Sequence, residues 1–336
     1  MRMREAVIEA LRAEMSADPS VVFMGEDVAA AGGVFKTSDG LLAEFGPERV
    51  RDTPISEMGF LGAAVGAAMT GLRPVVEIMF VEFLGVALDQ LVTQGAKMRY
   101  LSGGEYTVPL TVRASVGAGL GFGAQHSQVL ETWMIGTPGL TLAVASGAES
   151  AYGLLRAAIR HDDPVVILEP RSLYGTRESF DAAASSIRLG EARTLCRGKD
   201  VTIVGLGSTS SIALEAAGRA DGWNAEVIDL MTLQPWDKIH VLESVAKTGH
   251  LVVIEEGPHA GGWGTEIVSH VASSAFESLK APPLRITAPD VPVPFGKELE
   301  ASYVPSVDYS VDQVSTLLAT GEVPAPWWAE RLGRDQ

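Results

Sequence analysis

The sequence predicts an α/β protein of two domains, each a mostly parallel sheet flanked by helices. Three observations carry this. The 336-residue chain is longer than one ordinary core organises. Short apolar runs alternate with helix-spaced segments: Val21–Met24, Pro74–Met79, Val108–Arg113 and Pro164–Leu168, then Val201–Gly205, Ala225–Asp229 and Leu251–Ile254. Buried parallel strands read as such runs. Between the two series, from Tyr174 to Lys199, the periodicity lapses into Gly175, Ser179, Asp181 and an Ala-Ser cluster, the mark of a linker. The expected division is a first domain over 1–175, a linker over 176–198, a second domain over 199–325 and a tail over 326–336.

Composition narrows the function. A net charge of -16 disfavours a surface that tracks nucleic-acid phosphates. The one cysteine, Cys196, rules out an intramolecular disulfide, and Leu195 beside it suggests a buried structural thiol. The opening MRMREAVIEALRAEM has the spacing of an amphipathic helix with its acids and bases outward, not the apolar centre of a signal peptide. No apolar run approaches the roughly 20 residues that span a bilayer. A soluble cytoplasmic protein, away from membranes, is the expectation.

Taken in order, the first strand ends in Gly25-Glu26-Asp27, and strand ends of parallel sheets are where ligands sit; a solvated turn is the bland alternative. Gly32 to Val50 reads as a loop with a short helix. In Arg51–Gly71, Pro54 biases Thr53 to extended geometry, Ser56 is placed to N-cap, and Glu57 falls in the first turn of a Gly- and Ala-rich helix. Glu57 is either a dipole-stabilised surface acid or, crowded by Ile55, Met58, Phe60 and Leu61, buried with a partner. The next helix, Glu82 to about Tyr100, presents Phe83, Val86, Ala87 and Leu91 as a core stripe. Phe83, at its start, also suits a flat ring to stack on.

Two glycine patterns imitate dinucleotide fingerprints. Gly119-Leu-Gly121-Phe-Gly-Ala124 lacks an acid at the end of the next strand, and Gly205-Leu-Gly207-Ser-Thr-Ser210 lacks its third small residue, although Asp229 stands near the acid position. The first more naturally forms a loop that carries His126 to a ligand, with an exposed loop histidine as the alternative. Helices are expected at Ala148–His161, Ser208–Arg219 and Trp236–Lys247.

The run DTPISEMGFLGAAVGAAMTGLRPVVEIMF, followed by EFLGVALDQLVTQGAKMRYLSGG, GAQHSQ, EEGPHAGG and PDVPVPF, closely resembles the beta subunit of the thiamin-dependent component of 2-oxo acid dehydrogenase complexes. The likeness runs from Arg4 to about Val314. It implies the thiamin diphosphate-binding fold: a pyrimidine-binding domain followed by a transketolase C-terminal-like domain. In the family the acid matching Glu57 hydrogen-bonds a ring nitrogen of the cofactor's aminopyrimidine. The acid matching Glu26 approaches the cofactor, the aromatic matching Phe83 packs on the ring, and Ile55 and Met79 fall in the same cofactor-binding set. The histidine matching His126 faces the thiazolium side, suited to proton transfer or charge stabilisation. Relatives often bind a structural potassium ion through backbone carbonyls matching Leu110, Ala158 and Ile159, with contributions around His161 and Asp163; here His161 replaces an acid common among them.

The cofactor's diphosphate and Mg2+ need a Gly-Asp-Gly run followed by an Asn pair, and the sequence has neither. The resemblance therefore implies an alpha subunit that holds them, in an alpha2beta2 heterotetramer, with reductive acyl transfer to the lipoyl group of an acyltransferase core. A small 2-oxo acid, with pyruvate favoured, is the implied substrate. The alternatives are an acetoin dehydrogenase beta subunit, the C-terminal half of a two-component transketolase, and a non-catalytic assembly subunit.

Overall fold

The computed structural model describes residues 1–329. Their contacts divide them into two units, the first comprising Met1–Val116, Trp133–Leu189 and Thr232–Pro235, the second Gly117–Thr132, Gly190–Met231 and the chain from Trp236 onward. Of the expected tail, 330–336 lie outside the described residues. Its start is packed: Trp327 Nε1 donates to the Thr287 carbonyl at 3.2 Å and Trp328 lies edge-on to His259.

In chain order the first unit contains α1 (Met3–Ala17), β1 (Val21–Gly25), α2 (Leu41–Phe45), β2 (Val50–Asp52), α3 (Glu57–Met69), β3 (Arg73–Ile78), α4 (Leu84–Leu88), α5 (Ala96–Leu101) and β4 (Thr111–Val116). After the short α6 (Thr132–Ile135) come β5 (Thr141–Val144), α7 (Ala148–Arg160) and β6 (Val165–Pro170). The second unit contains β7 (Arg193–Cys196), β8 (Val201–Gly205), α8 (Ser208–Arg219) and β9 (Ala225–Asp229). The chain returns to the first sheet for β10 (Thr232–Gln234), then completes the second unit with α9 (Lys238–Thr248), β11 (Leu251–Pro258), α10 (Gly264–Ser274), β12 (Leu284–Ala288), α11 (Lys297–Ala301) and α12 (Val307–Thr320).

The first sheet has the order β10-β5-β6-β4-β3-β1-β2 and the second β12-β11-β8-β9-β7. Both are parallel except at one edge, where β10 runs antiparallel to β5 and β7 antiparallel to β9. The expected α/β architecture is therefore present twice. β7 falls within the stretch expected to be linker: four residues of modest apolar content suffice for an edge strand, and their half-buried faces hide the period.

On α1, Met3, Val7, Leu11 and Met15 recur at helical spacing and are fully buried with Ala151, Leu155 and Ile159 of α7. Each buried aliphatic side chain of this kind contributes about 1.5–3 kcal/mol. The expectation that the acids of α1 all face outward fails at Glu14, which is buried between Arg156 (2.6 Å) and Arg160 (2.6 Å) of α7. The expected helix from Glu82 to Tyr100 is also interrupted. It starts as a 3-10 turn at Val81–Phe83 and widens to a π turn at Asp89–Gly95, so a 3.6-residue stripe cannot run through it. Ala87 and Leu91 are buried as expected, but Val86 is 62% exposed. Cys196 is half-buried rather than buried, because it lies on the edge strand β7.

Candidate active site

Glu26, Glu57, Met79 and Phe83 follow the carboxyl ends of β1, β2 and β3 of the first sheet. β1 ends in Gly25, whose backbone lies so close to β3 that a Cβ would stand 2.7 Å from the Glu77 carbonyl. This close approach sets the direction in which Glu26 leaves the sheet. Glu26 is 9% exposed, and its Oε1 is buried without a hydrogen-bond partner among the described residues. Burial, then the neighbouring charges of Glu57 and Asp27, push its pKa up. Glu57 is the first residue of α3 and is also 9% exposed. Two buried acids thus lie near enough at the sheet end for the charge of Glu57 to act on Glu26, and an unpaired carboxylate there is costly.

The crowding expected around Glu57 is only half present. Phe60 and Leu61 are buried, whereas Ile55 is 86% and Met58 53% exposed. Their apolar surface is therefore largely open to solvent. Ser56 occupies the N-cap position, but its side chain makes no cap hydrogen bond.

Met79 and Phe83 follow β3. The Met79 carbonyl accepts from the Ser115 hydroxyl of β4, and Phe83, half-buried, closes the 3-10 turn edge-on to Phe80, with ring centroids 5.7 Å apart. Glu26, Glu57, Met79 and Phe83 all belong to the first unit.

His126 belongs to the segment that clusters with the second unit. It is half-buried, and its N–H donates to the Gly123 carbonyl at 3.2 Å. The loop before it turns on Gly117, Gly119, Gly121 and Gly123, all with positive φ, which explains the glycine spacing without a nucleotide. No helix opens directly after these glycines, so the first fingerprint imitation lacks the helix N-terminus that would hold a phosphate. Two acids of the second unit hold the loop: Glu256 accepts the Ala118 N–H at 2.7 Å and Glu300 the Gly121 N–H at 2.9 Å. In the second imitation, Asp229 is fully buried, accepting from Ser210 Oγ at 2.8 Å and Arg193 Nε at 3.0 Å. Its carboxylate serves the fold.

The carbonyls of the potassium set already accept N–H groups. Leu110 takes that of Val165 (2.9 Å) and Ala158 that of His161 (3.1 Å). Ile159 and His161 both take Arg73 Nη1, at 3.0 and 3.1 Å. Asp163 accepts from Arg99 at 2.6 Å. A guanidinium therefore already brings positive charge to two of the carbonyls.

Sequence reasoning missed a buried ionic cluster beneath the site. Arg113 of β4 is 1% exposed and donates to both oxygens of Glu169 at 2.8 Å and to Glu77 at 2.7 Å. Tyr174 donates to Glu169 at 2.8 Å and Thr37 to Glu77 at 3.1 Å. The available signal was three charges inside otherwise apolar strands, with Glu77 and Arg113 directly paired across β3 and β4. Glu131 was also missed: it is fully buried in the second unit, and burial, with Glu256 and Glu255 nearby, pushes its pKa up to about 8. Among the described residues no group of three or more His, Cys, Asp or Glu side chains is arranged to hold a metal ion. Nor is any described helix long and apolar enough to cross a membrane.

Comparison with known proteins identifies the family. The transketolase pyrimidine-binding domain family matches residues 1–177, and the transketolase C-terminal domain family matches 190–309. The chain is 47% identical to the pyruvate dehydrogenase E1 component subunit beta-2, mitochondrial, of Oryza sativa subsp. japonica, over 92% of this chain and 84% of that one. It is 42% identical to the acetoin:2,6-dichlorophenolindophenol oxidoreductase subunit beta of Bacillus subtilis (strain 168), over 94% and 96%. Among solved structures, a split gene transketolase described as an inactive beta4 tetramer superposes with a TM-score of 0.78 at 28% identity, covering 95% of this chain and 98% of that chain. The chain belongs to the family of beta subunits of the thiamin-dependent components of 2-oxo acid dehydrogenase complexes, the pyruvate and acetoin dehydrogenase type.

Proposed function

We propose that this chain binds the aminopyrimidine half of thiamin diphosphate and, with an alpha subunit, catalyses the oxidative decarboxylation of a small 2-oxo acid, pyruvate being favoured. The observation that carries the reading is the acid pair at the sheet end, with one buried oxygen of Glu26 lacking a donor among the described residues. A ring that presents N–H groups would satisfy it, so the residues fit the cofactor.

When bound, thiamin diphosphate supplies the nucleophilic carbon and the electron sink that the decarboxylation needs. The chain positions and polarises. Glu57 exchanges a proton with a ring nitrogen; held in the first turn of α3 by buried Phe60 and Leu61, it keeps that direction fixed. Glu26 accepts a second hydrogen bond, Phe83 covers one face of the ring, and Met79 adds apolar surface beside it. His126, carried on its glycine loop, holds or moves a proton as the acyl group leaves for a lipoyl acceptor.

The exposed Ile55, Met58 and Val86 are apolar surface that a partner subunit would cover. With no Gly-Asp-Gly run or Asn pair in the sequence, the diphosphate and Mg2+ fall on this reading to that alpha subunit, in an alpha2beta2 assembly that docks on the acyltransferase core. The structural relative described as an inactive beta4 tetramer is in keeping with a beta chain that needs its partner. Potassium fits less well, because Arg73 already donates to the implied Ile159 carbonyl and to that of His161, and no step is assigned to it.

The test is turnover of pyruvate, branched 2-oxo acids and acetoin by the reconstituted alpha-beta enzyme with a lipoylated acceptor. Preference for pyruvate supports the reading. Preference for acetoin moves the chain to the acetoin branch, and ketol transfer without a lipoyl acceptor overturns the reading in favour of a transketolase half.

A further inference from the structure

Phe83 closes a single 3-10 turn, and its N–H donates to the Phe80 carbonyl at 3.0 Å. What holds Met79 and Phe80 therefore bears on the direction of the Phe83 ring. Phe80 is 8% exposed, edge-on to Phe83 at 5.7 Å on one side and to Phe35 at 5.6 Å on another. The Arg171 guanidinium lies over the Phe80 ring, 5.1 Å from its centroid. The same guanidinium donates through Nη1 to Ser115 Oγ at 3.2 Å, and Ser115 Oγ donates in turn to the Met79 carbonyl. Arg171 itself is 2% exposed, on the 3-10 turn that follows β6.

One buried side chain thus restrains both the ring of residue 80 and, through a hydroxyl, the backbone of residue 79. We propose that Arg171 is a positioning residue: through Phe80 and Ser115 it fixes the direction in which Phe83 meets the cofactor ring. The inference rests on the reading of Phe83 as that ring's platform. Only arginine suits this place, because its planar fork stacks on an aromatic face while donating in its own plane; a lysine ammonium offers no such plane. An aliphatic side chain would fill the volume without either restraint. The burial of a charge, which costs stability where apolar packing would serve, is then explained by orientation rather than by packing.

The test uses the complete alpha-beta enzyme and the variants R171M, R171K and S115A. R171M is expected to raise the Kd for thiamin diphosphate about tenfold, because a Phe83 ring no longer held in place must be ordered on binding, while the KM for the 2-oxo acid stays within about twofold. Hydrogen exchange at the Phe83 amide, read without cofactor, is expected to quicken. R171K is expected to recover the thermal midpoint but not the cofactor affinity. A variant that loses thermal stability yet keeps the unmodified Kd and Phe83 exchange overturns the inference. If R171M fails to fold, S115A decides: a Kd raised about threefold with faster Phe83 exchange supports the relay, and unchanged values refute it. Failure of the unmodified enzyme to bind thiamin diphosphate overturns the functional reading and this inference with it, a result distinct from equal binding by the unmodified enzyme and R171M.

Discussion

Glu26 offers a way to separate a functional acid from a structural one. Replacing it by glutamine keeps the shape and removes the charge. In the cofactor-free chain Glu26 has a buried oxygen without a donor among the described residues and stands beside Glu57 and Asp27, so its charged form is disfavoured. The native pKa lies above the ordinary value of 4.5. Between those two values the native state holds more protons than the unfolded chain, so stability falls as pH rises through that window. Glu26→Gln removes this loss. Below about pH 4 the two proteins should match, and above the native pKa the variant should be more stable by about 1 kcal/mol, the order expected when a buried group no longer ionises beside Glu57 and Asp27. For a domain of this size that is a rise of about 2–4 °C in Tm, measurable by calorimetry of the cofactor-free chain from pH 4 to 8. The same change should weaken thiamin diphosphate binding in the alpha-beta enzyme. A variant less stable at neutral pH would refute the reasoning, since it would show that Glu26 already has a stabilising partner within the fold.

The remaining expectations concern the proton-transfer residues, the ionic cluster and the cation. Glu57→Gln should leave cofactor binding within about tenfold but lower turnover of the reconstituted enzyme by at least about 10²-fold; near-normal turnover would remove Glu57 from catalysis and favour a non-catalytic assembly subunit. His126→Ala should slow acyl transfer to a lipoyl acceptor by about 10-fold or more beyond its effect on decarboxylation, as followed by single-turnover kinetics. Equal loss of both steps would contradict the division of roles. Arg113→Met leaves Glu77 and Glu169 buried without their shared cation, and should cost about 3–5 kcal/mol in denaturant unfolding; a loss under about 1 kcal/mol would mean that the acids are neutral in the fold. Because Arg73 already faces the carbonyls of Ile159 and His161, exchanging NaCl for KCl should move Tm by less than about 1 °C. A rise of several degrees confined to potassium would show that the ion shares those carbonyls.

The alternation of apolar strands and helices was legible because strands buried on both faces leave unbroken runs such as Val201–Gly205. The edge strands were not: β7 is half-buried throughout, and β10 is three residues that rejoin the first sheet after a long excursion, a pairing no local pattern encodes. Glu57 was legible as the first residue of its helix, since Pro54 and Ser56 mark the start. Its surroundings were less so, because helix position alone does not say that Ile55 and Met58 face outward. Arg113 and Arg171 were passed over for the opposite reason. A charge in an apolar strand or after one is visible, but its partners Glu169 and Phe80 are distant in sequence and become neighbours only through the sheet order.

The measurement that tests the central claim most directly is titration calorimetry of thiamin diphosphate with Mg2+, first into this chain alone and then into the chain mixed with its alpha partner. The account predicts no measurable binding by the chain alone and saturable binding by the mixture, because this chain supplies only the aminopyrimidine half of the site. Tight binding by the chain alone would contradict it, showing that the diphosphate and the metal ion are held by residues of this subunit.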